Sequence, residues 1–128
     1  MASLDDTTDT SGRLIAAKQV RGTAVFGADL EKIGSIEDIM IDKASGRIAY
    51  AILSFGGFLG IGDHYYPVPW EKLAYKTDLG GYVTDIGRDV LEGAPSYTGQ
   101  GQAPWHDDAW GQDVYAHYGM HPFWDIVP

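Results

Sequence analysis

The sequence predicts a mainly β domain, a small barrel or sandwich, followed by a short helical arm. Three observations carry this reading. Glycine recurs at 22, 27, 34, 46, 56, 57, 60, 62, 80 and 81 with β-branched and aromatic residues between. Turn signals at such intervals, roughly 8–12 residues apart, mark short strands. The run Ile41-Asp42-Lys43-Ala44-Ser45-Gly46-Arg47 places a Gly-terminated loop between two apolar stretches, a hairpin signature. In Ile48-Ala49-Tyr50-Ala51-Ile52-Leu53-Ser54-Phe55 both alternate faces are apolar, as in a strand covered on both sides.

Residues 1–13 are polar and small, with one Leu, and are expected to form a flexible leader. The next apolar run is only Leu14-Ile15-Ala16-Ala17. A signal peptide needs an apolar stretch of about 7–15 residues, and a membrane span needs roughly 18. The chain is therefore expected to be cytoplasmic and soluble, without membrane insertion. Strands are expected at residues 19–26, 33–42, 47–55, 64–69, 73–76 and 81–86. In the second, Ile39 and Ile41 share a parity with Ser35 and Glu37, whereas Ile36 and Met40 share the other. A bulge near Glu37-Asp38 reconciles the two. In a closed barrel only one face of the third strand points inward. The other face then needs a cover, from this chain's tail or from another subunit.

The barrel domain is assigned to residues 14–94, and a linker with an aromatic, acidic, helical arm to 95–128. Residues 88–92 read as one helical turn closed by Gly93 and Pro95. Residues 96–103 read as a polar linker. A helix is expected over 107–118, with Asp107 as N-cap and Asp108 favoured by the helix dipole. Trp110, Val114 and either His117 or Tyr118 fall on one face. Gly119 and Pro122 end it. Gly111 inside the helix costs about 1 kcal/mol relative to Ala, so docking must help the helix form. Seven of the sixteen aromatic residues lie in this arm: Tyr97, Trp105, Trp110, Tyr115, Tyr118, Phe123 and Trp124. An aromatic-rich segment of this kind is built to pack on something.

Composition narrows the function. The 128 residues contain no cysteine, which excludes disulfides, thiolate metal sites and thiol catalysis. The formal net charge is −9, against a broad electropositive surface. That charge is uneven: −2 over residues 1–13, −3 over 14–94 and −4 over 95–128, where no Lys or Arg occurs. Nucleic-acid binding is not favoured, although Lys18, Arg21, Lys32, Lys43 and Arg47 could form a small patch.

Motifs for chemistry are weak. The loop Gly56-Gly57-Phe58-Leu59-Gly60-Ile61-Gly62 lacks the strand–helix context of a dinucleotide site and the G-K-[ST] of a P-loop. It reads as an apolar turn. Asp38, Asp42, Asp63, Asp78 and Asp85 fit no EF-hand and read as turn and strand-end residues. His117 and His121 are four apart beside His106, but Gly119 and Pro122 break the helix that would align them for a metal. No Gly-x-Ser-x-Gly is present. No catalytic, metal or cofactor site is expected.

Several blocks then resemble the PRC-barrel domain. They are Val20-Arg21-Gly22-Thr23, Ile33-Gly34-Ser35-Ile36-Glu37-Asp38-Ile39, Asp42 with Gly46-Arg47-Ile48-Ala49-Tyr50-Ala51, Phe55-Gly56-Gly57-Phe58-Leu59-Gly60-Ile61-Gly62-Asp63, and Pro67-Val68-Pro69-Trp70. The similarity runs from about residue 14 to 86. Leu30 departs from it, standing where a hairpin glycine is expected. The resemblance implies a compact, six-strand, mostly antiparallel β-barrel that acts as an interaction module rather than a catalyst. The family's known settings are the H subunit of the purple bacterial photosynthetic reaction centre and the ribosome maturation factor. They imply association with photosynthetic or membrane electron-transfer complexes, or alternatively a ribosome- or RNA-processing-associated role. A third alternative is a ligand- or metal-binding protein using the tail histidines. The expected function is a non-catalytic adaptor of unknown protein partner, assembled as a homodimer or larger homo-oligomer. Its interface candidates are Phe58, Leu59, Tyr65, Tyr66, Trp105, Trp110, Val114, Tyr118 and Trp124, with Phe58, Leu59, Tyr65 and Tyr66 expected to be exposed.

Overall fold

The computed structural model describes residues 13–55, 64–98, 105 and 107–122. The fold is mainly β. Its strands are β1 (Ala24–Phe26), β2 (Lys32–Ile41), β3 (Ile48–Ser54), β4 (His64–Pro69), β5 (Ala74–Lys76), β6 (Gly81–Val83) and β7 (Tyr97–Thr98). They form one sheet in the order β5-β6-β1-β2-β3-β4-β7. Every pair is antiparallel except β1–β6, which is parallel. The ladder is not closed into a ring among the described residues, since β5 and β7 end it. The six expected, mostly antiparallel strands are thus present within a mixed sheet of seven, which hydrogen bonds among the described residues do not close into the expected barrel. The seventh, Tyr97–Thr98, falls at the start of the expected linker and pairs with His64 and Tyr65.

Two expected strands are shorter than their apolar patterns suggest. Residues 17–20 form the helical turn α1 (Ala17–Val20) rather than the start of β1. The Gln19 side-chain oxygen accepts from the Ala16 N–H at 3.1 Å. The Thr23 hydroxyl donates to the Gln19 carbonyl. These contacts offer the backbone a helical alternative to a ladder, and Gly22 at φ 85° then turns the chain into β1. The last expected strand stops at Val83 because the buried Thr84 hydroxyl accepts the Ile86 N–H at 3.3 Å.

The β2 bulge is where parity placed it. The register with β3 runs Ile36↔Leu53 and then Asp38↔Ile52, skipping Glu37. Ile36 and Ile39 therefore share a face although they are three apart. The β2–β3 hairpin is built around Asp42, whose carboxylate accepts from the Ser45 hydroxyl at 2.6 Å and from the Ala44 and Ser45 N–H groups. The Ser45 hydroxyl bond, with these N–H groups and nearby Arg47, holds the Asp42 carboxyl below the usual carboxylate range. Gly34 sits where a Cβ would lie 2.3 Å from the Ser54 carbonyl oxygen, so β2 approaches β3 this closely only with glycine there.

Cross-strand partners share a face of the sheet. One face of β3 carries Ala51 and Leu53 against Ile36, Ile39, Val68 and Tyr66. The other carries Tyr50 and Ile52 against Met40, Pro67 and Pro69. Residues 49–53 are all buried, as a doubly covered strand requires. β7 pairs with β4 only at His64 and Tyr65. Beyond that point Pro67 and Pro69 have no N–H to donate, which ends strand addition on that edge. A helix takes the place of a strand there.

That helix is α3 (Asp108–His117), and it lies against β4. A shorter helix, α2 (Arg88–Glu92), precedes it and buries Leu91. In α3 the Asp107 carboxylate accepts from the Ala109 and Trp110 N–H groups, as expected of the N-cap. Gly119 follows at φ 73°. Gly111, Val114, Tyr115 and Tyr118 are buried, an i, i+3, i+4, i+7 set. The buried face thus includes Val114 and Tyr118, while Trp110 stays half-buried.

Candidate interaction surface

The arm reaches the sheet through a chain of aromatic rings. Tyr65 contacts Tyr97 of β7 at 5.6 Å between centroids, and Tyr97 contacts Trp105 at 5.9 Å. Trp105 also contacts Tyr50 at 5.5 Å and Trp110 at 5.3 Å. Tyr50 in turn meets Tyr115 at 5.4 Å. Edge-on and tilted arrangements at these distances are attractive beyond the area they bury. Trp105 is the hub, touching β3, β7 and α3 together.

One hydrogen bond pins α3 to the ladder. The Tyr115 hydroxyl donates to the Ala49 carbonyl at 2.7 Å. Ala49 has no register partner on β2, where the ladder shifts between Met40 and Ile41, and none on β4. A buried carbonyl there needs a donor, and the arm supplies it. Burial pushes the Tyr50 hydroxyl up to about 12. It raises Tyr115 and Tyr118 as well. At the far end of α3, His117 Nε2 lies 2.6 Å from the Val90 carbonyl, which fixes the proton on that nitrogen and ties the arm to α2.

The candidate residues divide by position. Trp105, Trp110, Val114 and Tyr118 belong to the seam or to the buried face of α3, so they meet this chain's own sheet and helices. Tyr65 is half-buried beside Tyr97. Tyr66, expected at the surface, is buried at 2% exposure with its ring edge-on to Phe55 at 5.1 Å. Its place opposite Leu53 puts it on the inner face. Phe58, Leu59 and Trp124 lie outside the described residues, as does His106. Among the described residues no three or more His, Asp and Glu side chains gather as metal ligands. Arg21 and Arg47, considered above for a basic patch, each face a carboxylate, Asp38 at 4.0 Å and Glu71 at 3.6 Å.

Sequence reasoning missed Tyr50, Tyr115, Met40 and Ile41. Tyr115 was within reach, because the 111, 114, 115, 118 spacing is a helix face in its own right. Met40 and Ile41 emerge only from the second register shift. They line an open cleft of about 530 Å³ with Asp42, Lys43, Ala49, Tyr50 and Trp105. Ile41 is 54% exposed and Trp105 37% exposed.

Ladder, bulged hairpin and annexed helix define a small β domain of the barrel type with an aromatic-sealed arm. The chain belongs to the PRC-barrel domain family, whose model matches residues 13–91. Domains of this family are typically non-enzymatic and mediate protein interactions. A protein of Deinococcus radiodurans described as uncharacterised is 26% identical over 76 residues, covering 59% of this chain. The chain spans 27% of that relative's length. No helix among the described residues is long and apolar enough to cross a membrane.

Proposed function

We propose that this chain is a non-catalytic protein-interaction adaptor, a PRC-barrel domain extended by an aromatic arm, that works as a homodimer or larger homo-oligomer. The observation that carries the reading is the seam at Trp105. A tryptophan holding three elements together, yet still partly open to solvent beside an exposed isoleucine, is the composition of an interface core. The family's interaction role supports the same class. A cytoplasmic setting rests on the short apolar runs of the sequence, and a link to photosynthetic or membrane electron-transfer complexes rests on the family's known settings alone.

The test is removal of residues 98–128. The arm buries Val114, Tyr115 and Tyr118 almost completely. At about 1.5–3 kcal/mol for each of these three side chains, less about 10–40% for burial already present in the unfolded chain, the truncated chain is expected to lose roughly 3–8 kcal/mol. It should also lose its assembly state and any partner captured by the full chain. A truncated protein with unchanged melting temperature, assembly and capture rules out the arm as part of the adaptor.

A further inference from the structure

We propose that the cleft between Arg13 and the rings of Trp70, Tyr75 and Tyr82 binds a small aromatic carboxylate. The inference goes beyond the adaptor reading and does not depend on it. Trp70 follows β4 directly, and its ring meets Tyr82 of β6 edge-on at 5.2 Å between centroids. Tyr75 is the cross-strand partner of Tyr82, so the two share a face of the β5–β6 pair. Their rings also meet edge-on, at 5.1 Å. Tyr82 is buried, whereas Trp70 and Tyr75 are half-buried. Together with Leu73 and the segment Arg13-Leu14-Ile15 they line a cleft of about 280 Å³ at the β5 edge of the sheet. A mostly apolar, aromatic-lined cleft with a few polar groups is the usual form of a small-molecule site.

Two polar groups set this cleft apart from a plain apolar groove. The Tyr75 hydroxyl is buried and has no hydrogen-bond partner. A buried hydroxyl left in that state costs about 1–3 kcal/mol, and an acceptor that enters the cleft beside the ring gives it the partner it lacks. Arg13 is the one charged side chain among the described residues of the lining, and it forms no ion pair among them. A single guanidinium selects a single negative charge, and its planar fork matches a carboxylate. The three rings select a flat ring, which stacks on them or meets them edge-on. A cationic guest would be repelled by Arg13. A neutral apolar guest would leave both the guanidinium and the hydroxyl unused. An aromatic ring carrying one carboxylate uses the rings, the charge and the free donor together.

Chemical-shift titration of the full chain with benzoate tests this, with benzamide as the uncharged control and cyclohexanecarboxylate as the non-aromatic one. Wild type is expected to bind benzoate with a Kd of roughly 0.5 mM, moving the Trp70 indole N–H resonance. Each control should bind at least roughly fivefold more weakly. Arg13→Gln should weaken benzoate roughly tenfold and erase its advantage over benzamide. Arg13 is exposed, so the variant should fold as the wild type does. Tyr75→Phe should weaken benzoate roughly fivefold. The free Tyr75→Phe protein should melt no lower than wild type, because the hydroxyl it loses has no partner. A wild type that shows no saturation up to roughly 20 mM benzoate overturns the site. Binding that is indifferent to Arg13→Gln or to Tyr75→Phe puts the ligand elsewhere and overturns the assignment. Equal affinity for either control overturns the ligand class.

Discussion

On one face of β3, Ala51 and Leu53 lie in the core, flanked by ladder neighbours: Ile36 and Ile39 from β2, and Val68 and Tyr66 from β4. On the other face, Tyr50 is sealed by rings that belong to the arm, Trp105 and Tyr115. The first cover is held by paired backbones, so its side chains are fixed by register before they touch. The second is held by side chains and one hydroxyl-to-carbonyl bond, Tyr115 to Ala49. A paired strand cannot leave without breaking a ladder, whereas a docked arm can leave and expose an intact sheet. The first cover serves stability, and the second is the kind that assembly can use.

The sharpest way to break this contrast is at the ladder. Gly34→Ala puts a methyl group where only 2.3 Å separates it from the Ser54 carbonyl oxygen and 2.8 Å from the Phe55 ring. A backbone atom cannot swing aside as a side chain can, so β2 must move away from β3. The expected loss is about 3 kcal/mol, read as a shifted denaturant midpoint. Far-UV and near-UV circular dichroism should fall together, because the arm's seat is β3 itself. A variant that loses far-UV signal but keeps its near-UV signal would show that the arm depends less on the ladder than the contacts indicate.

These two covers were unequally legible in the sequence, for a physical reason. The ladder announced itself through local pattern: glycine spacing, the doubly apolar run 48–55, and the parity conflict that placed the bulge at Glu37. The arm's helix was also local, through the Asp107 cap and the Gly119 stop. What joins the arm to the sheet was not. The pairing of Tyr97–Thr98 with β4, the parallel contact of β1 with β6 and the Tyr115 bond to Ala49 all link residues distant in sequence. Tyr115 and Ala49 are 66 positions apart. No periodicity encodes such a pair. The doubly apolar β3 required a cover without identifying the side chains that would provide it. Tyr66 was misplaced for a related reason, since a tyrosine beside another tyrosine shows its face only once the register with Leu53 is known.

At the arm, the complementary test removes one atom. Tyr115→Phe keeps the ring against Tyr50 and deletes the donor to the Ala49 carbonyl. The carbonyl stays buried, so the cost is that of an unsatisfied acceptor, about 1–2 kcal/mol. The ladder should be untouched. The expected outcome is a modest drop in melting temperature with faster amide exchange in α3 and unchanged protection in β2 and β3. Equal loss of protection in both regions would merge the two covers into one cooperative unit.

The smallest expected effect lies in the first hairpin, away from both covers, and it asks whether the ladder itself carries strain. Leu30 stands at φ 65°, in the left-handed region, with its side chain 56% exposed. The turn is otherwise well made: the Gly27 N–H donates to the Glu31 carbonyl and the Leu30 N–H to the Gly27 carbonyl, both at 2.9 Å. A leucine there costs about 1–2 kcal/mol in steric conflict between Cβ and the backbone. Glycine removes that conflict but gives the unfolded chain more freedom, which returns about 0.5–1 kcal/mol of the gain. Leu30→Gly is therefore expected to stabilise the fold by about 0.5 kcal/mol, with the spectroscopic signature of the arm unchanged. The sign is the informative part. A destabilised variant would mean that the Leu30 side chain contributes more than its exposure indicates, and that the hairpin tolerates the left-handed turn because an apolar contact holds it.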